Sequence, residues 1–268
     1  MKISKGLLFV FILIVFGFGC KKQDIPSTSG NIDPSLPTTN EAASTIVTAL
    51  STNNYGLGPQ LANATAISQY GFFGRTQASN SLSFQKNSLS TTTSLCGLSR
   101  DTLFSITNPK TDSSKYKFTI AYYVQVNCTQ NQPSNMVFVD STSGSYYGNL
   151  LSYTGTSKCL FSSTLPTGGQ DSTIIFNGTY TRKGTTISNF LNKSTFSTDI
   201  TITYSDLTIG RNSHFISKGS ASIEIAGASK TGKIFRYLGS ADFSTPGQIK
   251  MVLEGHQYRF DILSGQAF

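Results

Sequence analysis

The chain of 268 residues has no tryptophan, two histidines and 13% charged residues. A histidine-based zinc centre wants three or four close ligands, and a nucleophile triad wants a base held by an acid beside a strained serine. His214 and His256 are too few for a zinc centre, no Cys-x-x-Cys adds ligands to them, and no Gly-x-Ser-x-Gly marks a triad serine. Both histidines are expected at the surface. Lys and Arg exceed Asp and Glu by +8 overall, or +6 without Lys2 and Lys5, but they are scattered rather than clustered, which argues against a nucleic-acid partner. A membrane-spanning hydrophobic run is also missing. The apolar stretch Gly6 to Phe16 is about 11 residues, whereas a helix crossing hydrocarbon needs roughly 20.

That stretch belongs to a different device. Met1-Lys2-Ile3-Ser4-Lys5 is a short basic start, the apolar run follows, and Gly17 and Gly19 lead into Cys20-Lys21-Lys22. This is the layout of a secretory signal. Gly17-Phe18-Gly19-Cys20 resembles the lipobox of bacterial lipoproteins, with Gly19 as the small residue before the cysteine and with Gly17 and Phe18 departing from the usual residues. The resemblance implies that residues 1–19 are removed and that the Cys20 thiol is acylated. Lys21-Lys22-Gln23-Asp24 resembles the start of mature lipoproteins of Bacteroidota, which implies an outer-membrane address, periplasmic or surface.

Residues 20–39 carry Pro26, Pro34 and Pro37 among Ser, Thr, Gly and Asn, a composition that reads as a tether. Residues 40–94 read as a helical and irregular part. Asn40 is the expected cap of a helix with Ala43, Ile46, Val47 and Leu50 inward, and a second helical turn is expected after Pro59 with Leu61, Ala64 and Ile67 on its apolar side. Residues 95–268 read as one antiparallel β domain, rich in Ser, Thr, Tyr and Phe. Tyr116, Phe118, Ile120, Tyr122, Val124, Val126 and Cys128 alternate with polar residues, the period of a half-buried strand. Strands are expected around 135–141, 144–153 and 157–163. A meander through Ile174–Tyr180, Ile200–Tyr204, Gly219–Ile225, Phe235–Phe243, Ile249–Leu253 and Tyr258–Ile262 follows. Its connections are too short for crossover helices, so neighbouring strands run antiparallel. Gly255 is expected at the first central position of a two-residue turn. The fold expected is mainly β: a single antiparallel meander sheet, strongly twisted or curled toward a half-barrel, with a short N-terminal helix.

After Cys20 three cysteines remain, Cys96, Cys128 and Cys159, enough for one bridge and one leftover thiol in an exported chain. Cys96-Gly97 with Asp101-Thr102, Asn127-Cys128, and Asn177-Gly178-Thr179-Tyr180-Thr181-Arg182 with the meander after it resemble a loosely defined group of β-rich Bacteroidota lipoproteins, over roughly residues 95–263. The resemblance implies architecture and address, transfers no activity, and favours a Cys96–Cys128 disulfide with Cys159 free.

Apparent chemical motifs have plainer explanations. Gly227-Ala228-Ser229-Lys230-Thr231-Gly232-Lys233-Ile234 mimics a phosphate-binding loop, but Ile234 stands where a magnesium-holding Ser or Thr belongs, and the flanks read as strands rather than strand and helix. Ser83-Phe84-Gln85-Lys86 matches Ser-x-x-Lys without its companion motifs, a cheap match in a chain about one-quarter Ser and Thr. The carboxylates Asp140, Asp171, Asp199, Asp206, Glu224, Asp242, Glu254 and Asp261 are expected mostly in turns or on outward faces, and nominate no acid pair. Asp101-Thr102, Asp140-Ser141 and Asp171-Ser172 fit the O-glycosylation pattern of these bacteria, which makes Thr102, Ser141 and Ser172 candidate sites. No catalytic residue, metal or cofactor is expected. Two functions remain: a non-catalytic binding or structural module of the cell envelope facing a glycan or protein, or a carrier of a lipid or other hydrophobic ligand in a groove of the curved sheet.

Overall fold

A computed structural model describes residues 35–51, 54, 56–70, 96–97, 99–108, 114–164, 173–189, 194–210, 213 and 216–268. Two helices come first, α1 (Thr39–Leu50) and α2 (Leu57–Tyr70). Ten strands follow, β1 (Ser99–Asn108), β2 (Ser114–Thr129), β3 (Gln132–Gly148), β4 (Leu151–Thr164), β5 (Thr173–Ser188), β6 (Thr195–Gly210), β7 (Ile216–Ser229), β8 (Ile234–Asp242), β9 (Gln248–Leu253) and β10 (His256–Asp261). They form one antiparallel sheet in the order β1 to β10, each strand beside its sequence neighbours, with β1 and β10 as edges of an unclosed sheet. The fold is therefore the mainly-β meander expected from sequence, and the second helical turn expected after Pro59 is the 14-residue α2.

Local chemistry differs from the sequence expectation at several points. The cap of α1 is Thr38, whose Oγ1 accepts the Glu41 N–H at 3.2 Å while Glu41 Oε2 accepts the Thr38 N–H at 2.8 Å. This reciprocal Thr-x-x-Glu capping box satisfies two donors that Asn40 alone would leave open. Asn40, released from that role, accepts a hydrogen bond from the Tyr258 hydroxyl. α2 starts at Leu57, before Pro59, because proline in the first turn has no intrahelical N–H bond to lose. Stretches expected as separate strands around 135–141 and 144–153 are the single 17-residue β3, the turn, and the start of β4. Glu254 and Gly255 form the β9–β10 turn, both with positive φ (48° and 81°), so Gly255 takes the second central place. Glu254 is held in the first by backbone and side-chain bonds with Leu238. Gln130 and Asn131 make the equivalent turn between β2 and β3.

α1 lies against the inward face of the sheet. Ala42, Ala43, Ile46, Val47, Ala49 and Leu50 are no more than 2% exposed. Its N-terminal end meets strands far apart in the sheet: Ser194 Oγ, just before β6, donates to Glu41 Oε1 at 2.9 Å, and the hydroxyls of Tyr237 in β8 and Tyr258 in β10 reach Pro37 O and Asn40 Oδ1. On a flat sheet β6 and β10 lie roughly 19 Å apart at about 4.8 Å per strand, nearly twice the width of a helix. The sheet therefore curls around α1.

A row of small residues permits the curl. On the inward face Phe118, Gly144, Gly155, Gly184, Thr198, Gly227 and Phe235 stand in register across β2 to β8. A Cβ on Gly144, Gly155, Gly184 or Gly227 would run into a neighbouring strand's carbonyl oxygen and into an aromatic ring lying over it: Phe118, Tyr153 or Phe235. Glycines that let backbone and rings approach this closely are a recognised way to bend a sheet. Beyond this row the main core contains Phe138, Phe161, Phe176, Tyr204 and Phe243. A smaller cluster of Phe118, Ile120, Tyr146 and Leu151 packs at the β1–β4 side.

Gly184→Ala is expected to lower the unfolding free energy by about 2–3 kcal/mol, as for an overpacked core position. Gly232→Ala, where nothing lies within 4 Å but φ is 83°, should cost only about 1 kcal/mol. Urea midpoints at constant m-value compare the two.

Candidate functional site

Between the glycine row and the aromatic core, two inward rows on β3, β4 and β5 are polar. One reads Asp140, Cys159, Tyr180 and the other Thr142, Ser157, Arg182, each set in direct cross-strand register. Alternation puts them there: Phe138, Asp140 and Thr142 share the face of β3 that enters the core. Asp140 is thus an inward residue with no exposure, contrary to the outward or turn position expected from sequence. Among the described residues neither of its carboxyl oxygens has a hydrogen-bond partner, and burial pushes its pKa up to about 7. A carboxylate so placed is stable chiefly as the neutral acid.

Its neighbours are neutral too. Burial raises the Cys159 thiol well above its ordinary value, with the nearby Asp140 charge adding to the effect. Tyr180 is pushed up to about 12, mainly by burial, and burial also raises Tyr204, whose hydroxyl has no partner. Thr142 and Ser157 hydroxyls meet at 2.5 Å. The one cation is Arg182, 4% exposed, its guanidinium carbon 3.6 Å from the centre of the Tyr153 ring. Among the described residues no carboxylate pairs with it. Tyr153 lies over Gly155 and Gly184, and its hydroxyl is 2.9 Å from the carbonyl oxygens of both Thr156 and Lys183. The glycine row therefore seats the ring, and the ring seats the arginine by a cation–π contact. A nucleophile needs a lowered pKa or a base in hydrogen-bond reach. Here the Cys159 thiol has a raised pKa, and among the described residues the Asp140 carboxyl and the Tyr204 hydroxyl have no hydrogen-bond partner.

The outward face is of another kind. Ser99 Oγ donates to the Tyr123 hydroxyl, which donates to Gln125 Oε1; Gln125 Nε2 then donates to Asn127 Oδ1, and Asn127 Nδ2 to Asn135 Oδ1, at 3.0–3.4 Å. This ladder crosses β1 to β3 in the open. Beside it an open trough of about 480 Å³ has Ala121, Ser141, Ser143 and Thr156 among its lining residues, with Leu103 and Lys158. Two ion pairs sit farther along the same face, Lys183–Asp199 and the two-pronged Arg236–Glu224.

Cys96 and Cys128 are joined in a disulfide with Cα atoms 5.5 Å apart, and Cys159 is free and buried. Ser141 is exposed in mid-strand, and Thr102 lies in β1 in register with Tyr122. Cys20, Ser83 to Lys86, Asp171, Ser172 and His214 lie outside the described residues, while His256 opens β10 in an exposed position. The segment from Gly227 to Ile234 is a β7–β8 hairpin, without the helix a phosphate loop requires. Asp242 and Asp261 bond the backbone of Ser244 and Ser264, which holds both carboxyls below the usual range. The motifs in which Asp140 and Arg182 stand, a glycosylation pattern and the stretch from Asn177 to Arg182, say nothing of their burial. The parity of Phe138-Asp140-Thr142 and Gly178-Tyr180-Arg182 is the signal that would have placed both inward.

Asp140 gives the fold a signed pH dependence. The unfolded chain releases this proton near 3.8 and the folded one near 7, so between these values the folded state holds more protons. Stability attributable to Asp140 is complete below about pH 4, falls by up to about 1.4 kcal/mol per unit as pH rises, and levels off above 7, an upper-limit loss on the order of 4 kcal/mol. Asp140→Asn should flatten the wild-type decline between pH 5 and 7 in urea unfolding; an unchanged slope would show that the carboxyl is solvated.

No protein-family model, no curated protein and no solved structure matches the chain.

Proposed function

We propose that the chain is a lipid-anchored module of the bacterial cell envelope that works by binding, not catalysis, with the outward face of its sheet toward a glycan or protein. One observation carries this reading: the inward face is occupied by the chain's own α1, whose Ala42, Ala43, Ile46 and Ala49 have no exposure, while the outward face presents an uninterrupted hydrogen-bonded ladder of Ser, Tyr, Gln and Asn. A hydrophobic carrier needs several hundred cubic ångströms left unfilled under its sheet, so the seating of α1 weighs against that alternative. The ladder holds its donors and acceptors in place before any partner arrives, which reduces the ordering cost of binding polar groups. Exposed Tyr123 within the ladder adds an aromatic surface of the type that contributes at recognition sites. The anchor is supported by the lipobox-like residues ending at Cys20.

In the native host, Cys20→Ser should move the protein from the membrane pellet to the soluble fraction and remove the acyl mass from its mature N-terminus. Lipid extraction of the purified domain, followed by mass spectrometry, should return no stoichiometric lipid beyond those acyl chains. A bound lipid at one equivalent would restore the carrier reading.

A further inference from the structure

The meander puts its odd-to-even turns at one end of the sheet, and the described turns there differ in chemistry from those at the other end. Asn149 and Leu150 join β3 to β4, and Lys230, Thr231, Gly232 and Lys233 join β7 to β8. Ile234 follows at 81% exposure, the largest value among the exposed apolar side chains; Leu150 and Tyr147 are each more than half exposed. Register places Lys115, Tyr147, Ser152, Ile187 and Thr195 in one outward row across β2 to β6 at this end. The Lys230 N–H donates to Thr195 O, bringing the hairpin lysines to the same rim. The rim thus interleaves Lys115, Lys230 and Lys233 with Tyr147, Ile187 and Ile234. Among its described residues the exposed carboxylate is Glu254, which accepts the Leu238 N–H. At the opposite end, the β2–β3 turn is Gln130 and Asn131, and the β8–β9 turn ends in Thr245, Pro246 and Gly247; these residues are polar or small and uncharged.

The chain enters the domain at the basic and apolar end. Thr231 Oγ1 donates to Ser35 Oγ at 3.2 Å, and the Tyr237 hydroxyl donates to Pro37 O. From Ser35 back to Cys20 is 15 residues, which span at most about 50 Å fully extended. A strand of 16 residues such as β6 is itself about 53 Å long. A lipid on Cys20 therefore favours this rim as the end nearer the bilayer, because standing the domain upright on its opposite end would need nearly the whole tether extended along the sheet.

We infer that the rim formed by Lys115, Tyr147, Ile187, Lys230, Lys233 and Ile234 docks on an anionic lipid bilayer as a second membrane contact. The lysines meet headgroup phosphates, and the apolar tips enter the interface between them. The inference takes its orientation from the proposed anchor at Cys20, but its test does not depend on acylation.

Because the chain has no tryptophan, one introduced at the rim reports alone. The mature chain carrying Cys20→Ser and Ile234→Trp is titrated with vesicles of phosphatidylcholine and with vesicles containing about one third phosphatidylglycerol. A blue shift of emission with the anionic vesicles, absent with phosphatidylcholine, is expected. Adding Lys230→Glu and Lys233→Glu should raise the lipid concentration at half-shift by tenfold or more. A far-end reporter, Asn131→Trp in the Cys20→Ser chain, should not shift. Equal shifts with both lipids, no shift with either, or an equal shift of the far-end reporter would overturn the inference. Unchanged thermal midpoints and circular dichroism show that each variant is folded, which its exposed position favours.

Discussion

A single sheet has two faces and can leave only one of them to water, so the whole fold depends on what covers the other. No second sheet is present among the described residues, and α1 fills the role. It is a helix buried on nearly every side, from Glu41 to Leu50, and a helix apolar all round is stable only inside something. The sheet supplies that by bending, and it bends where glycine removes the Cβ that would otherwise strike the adjacent strand. Burial of α1, the glycine row and the rings over those glycines are three parts of one solution. The price is that polar residues on the inward face of β3 to β5 come along.

Those residues separate stability from chemistry. Thr142, Ser157 and Tyr153 find partners; Asp140 and the Tyr204 hydroxyl do not. Buried polar groups without partners weaken a fold, and they are expected where something other than packing has kept them. Burial raises the pKa values of Asp140, Cys159 and Tyr180 around the buried Arg182, and the thiol is held in its neutral form. Function is better sought outside, where donors and acceptors are paired yet accessible.

Much of this architecture could be read from residue order. Period-two alternation marked β2 and the meander from β5 onward, because Ile, Phe and Tyr there recur at every second position, broken only by small residues such as Gly178 and Gly239. β3 was harder: Thr142, Gly144 and the Ser residues between them dilute the apolar face, and a 17-residue strand looks like two short ones. The capping box at Thr38 and Glu41 was present in the residues but competed with a plausible Asn40. Hidden altogether was anything that arises only when strands are laid side by side. Four glycines spaced irregularly along the chain become one line across the sheet, and Asp140, which in isolation reads as surface, inherits the burial of Phe138 two residues before it.

The contacts of α1 also join opposite ends of the chain. Asn40 bonds Tyr258 across 218 positions, and Gly265 lies against Val47 and Ser51. A strand meander can assemble hairpin by hairpin from local contacts, but the helix that completes its interior cannot be seated until the last strand exists. Loop closure on that scale is slow, and apolar surface waits uncovered meanwhile. Because a chain is made N-terminus first, this early segment is the last to find its place. Synthesis and completion of the fold are thereby separated in time: the inward face of the sheet stays uncovered until β10 is there to receive α1.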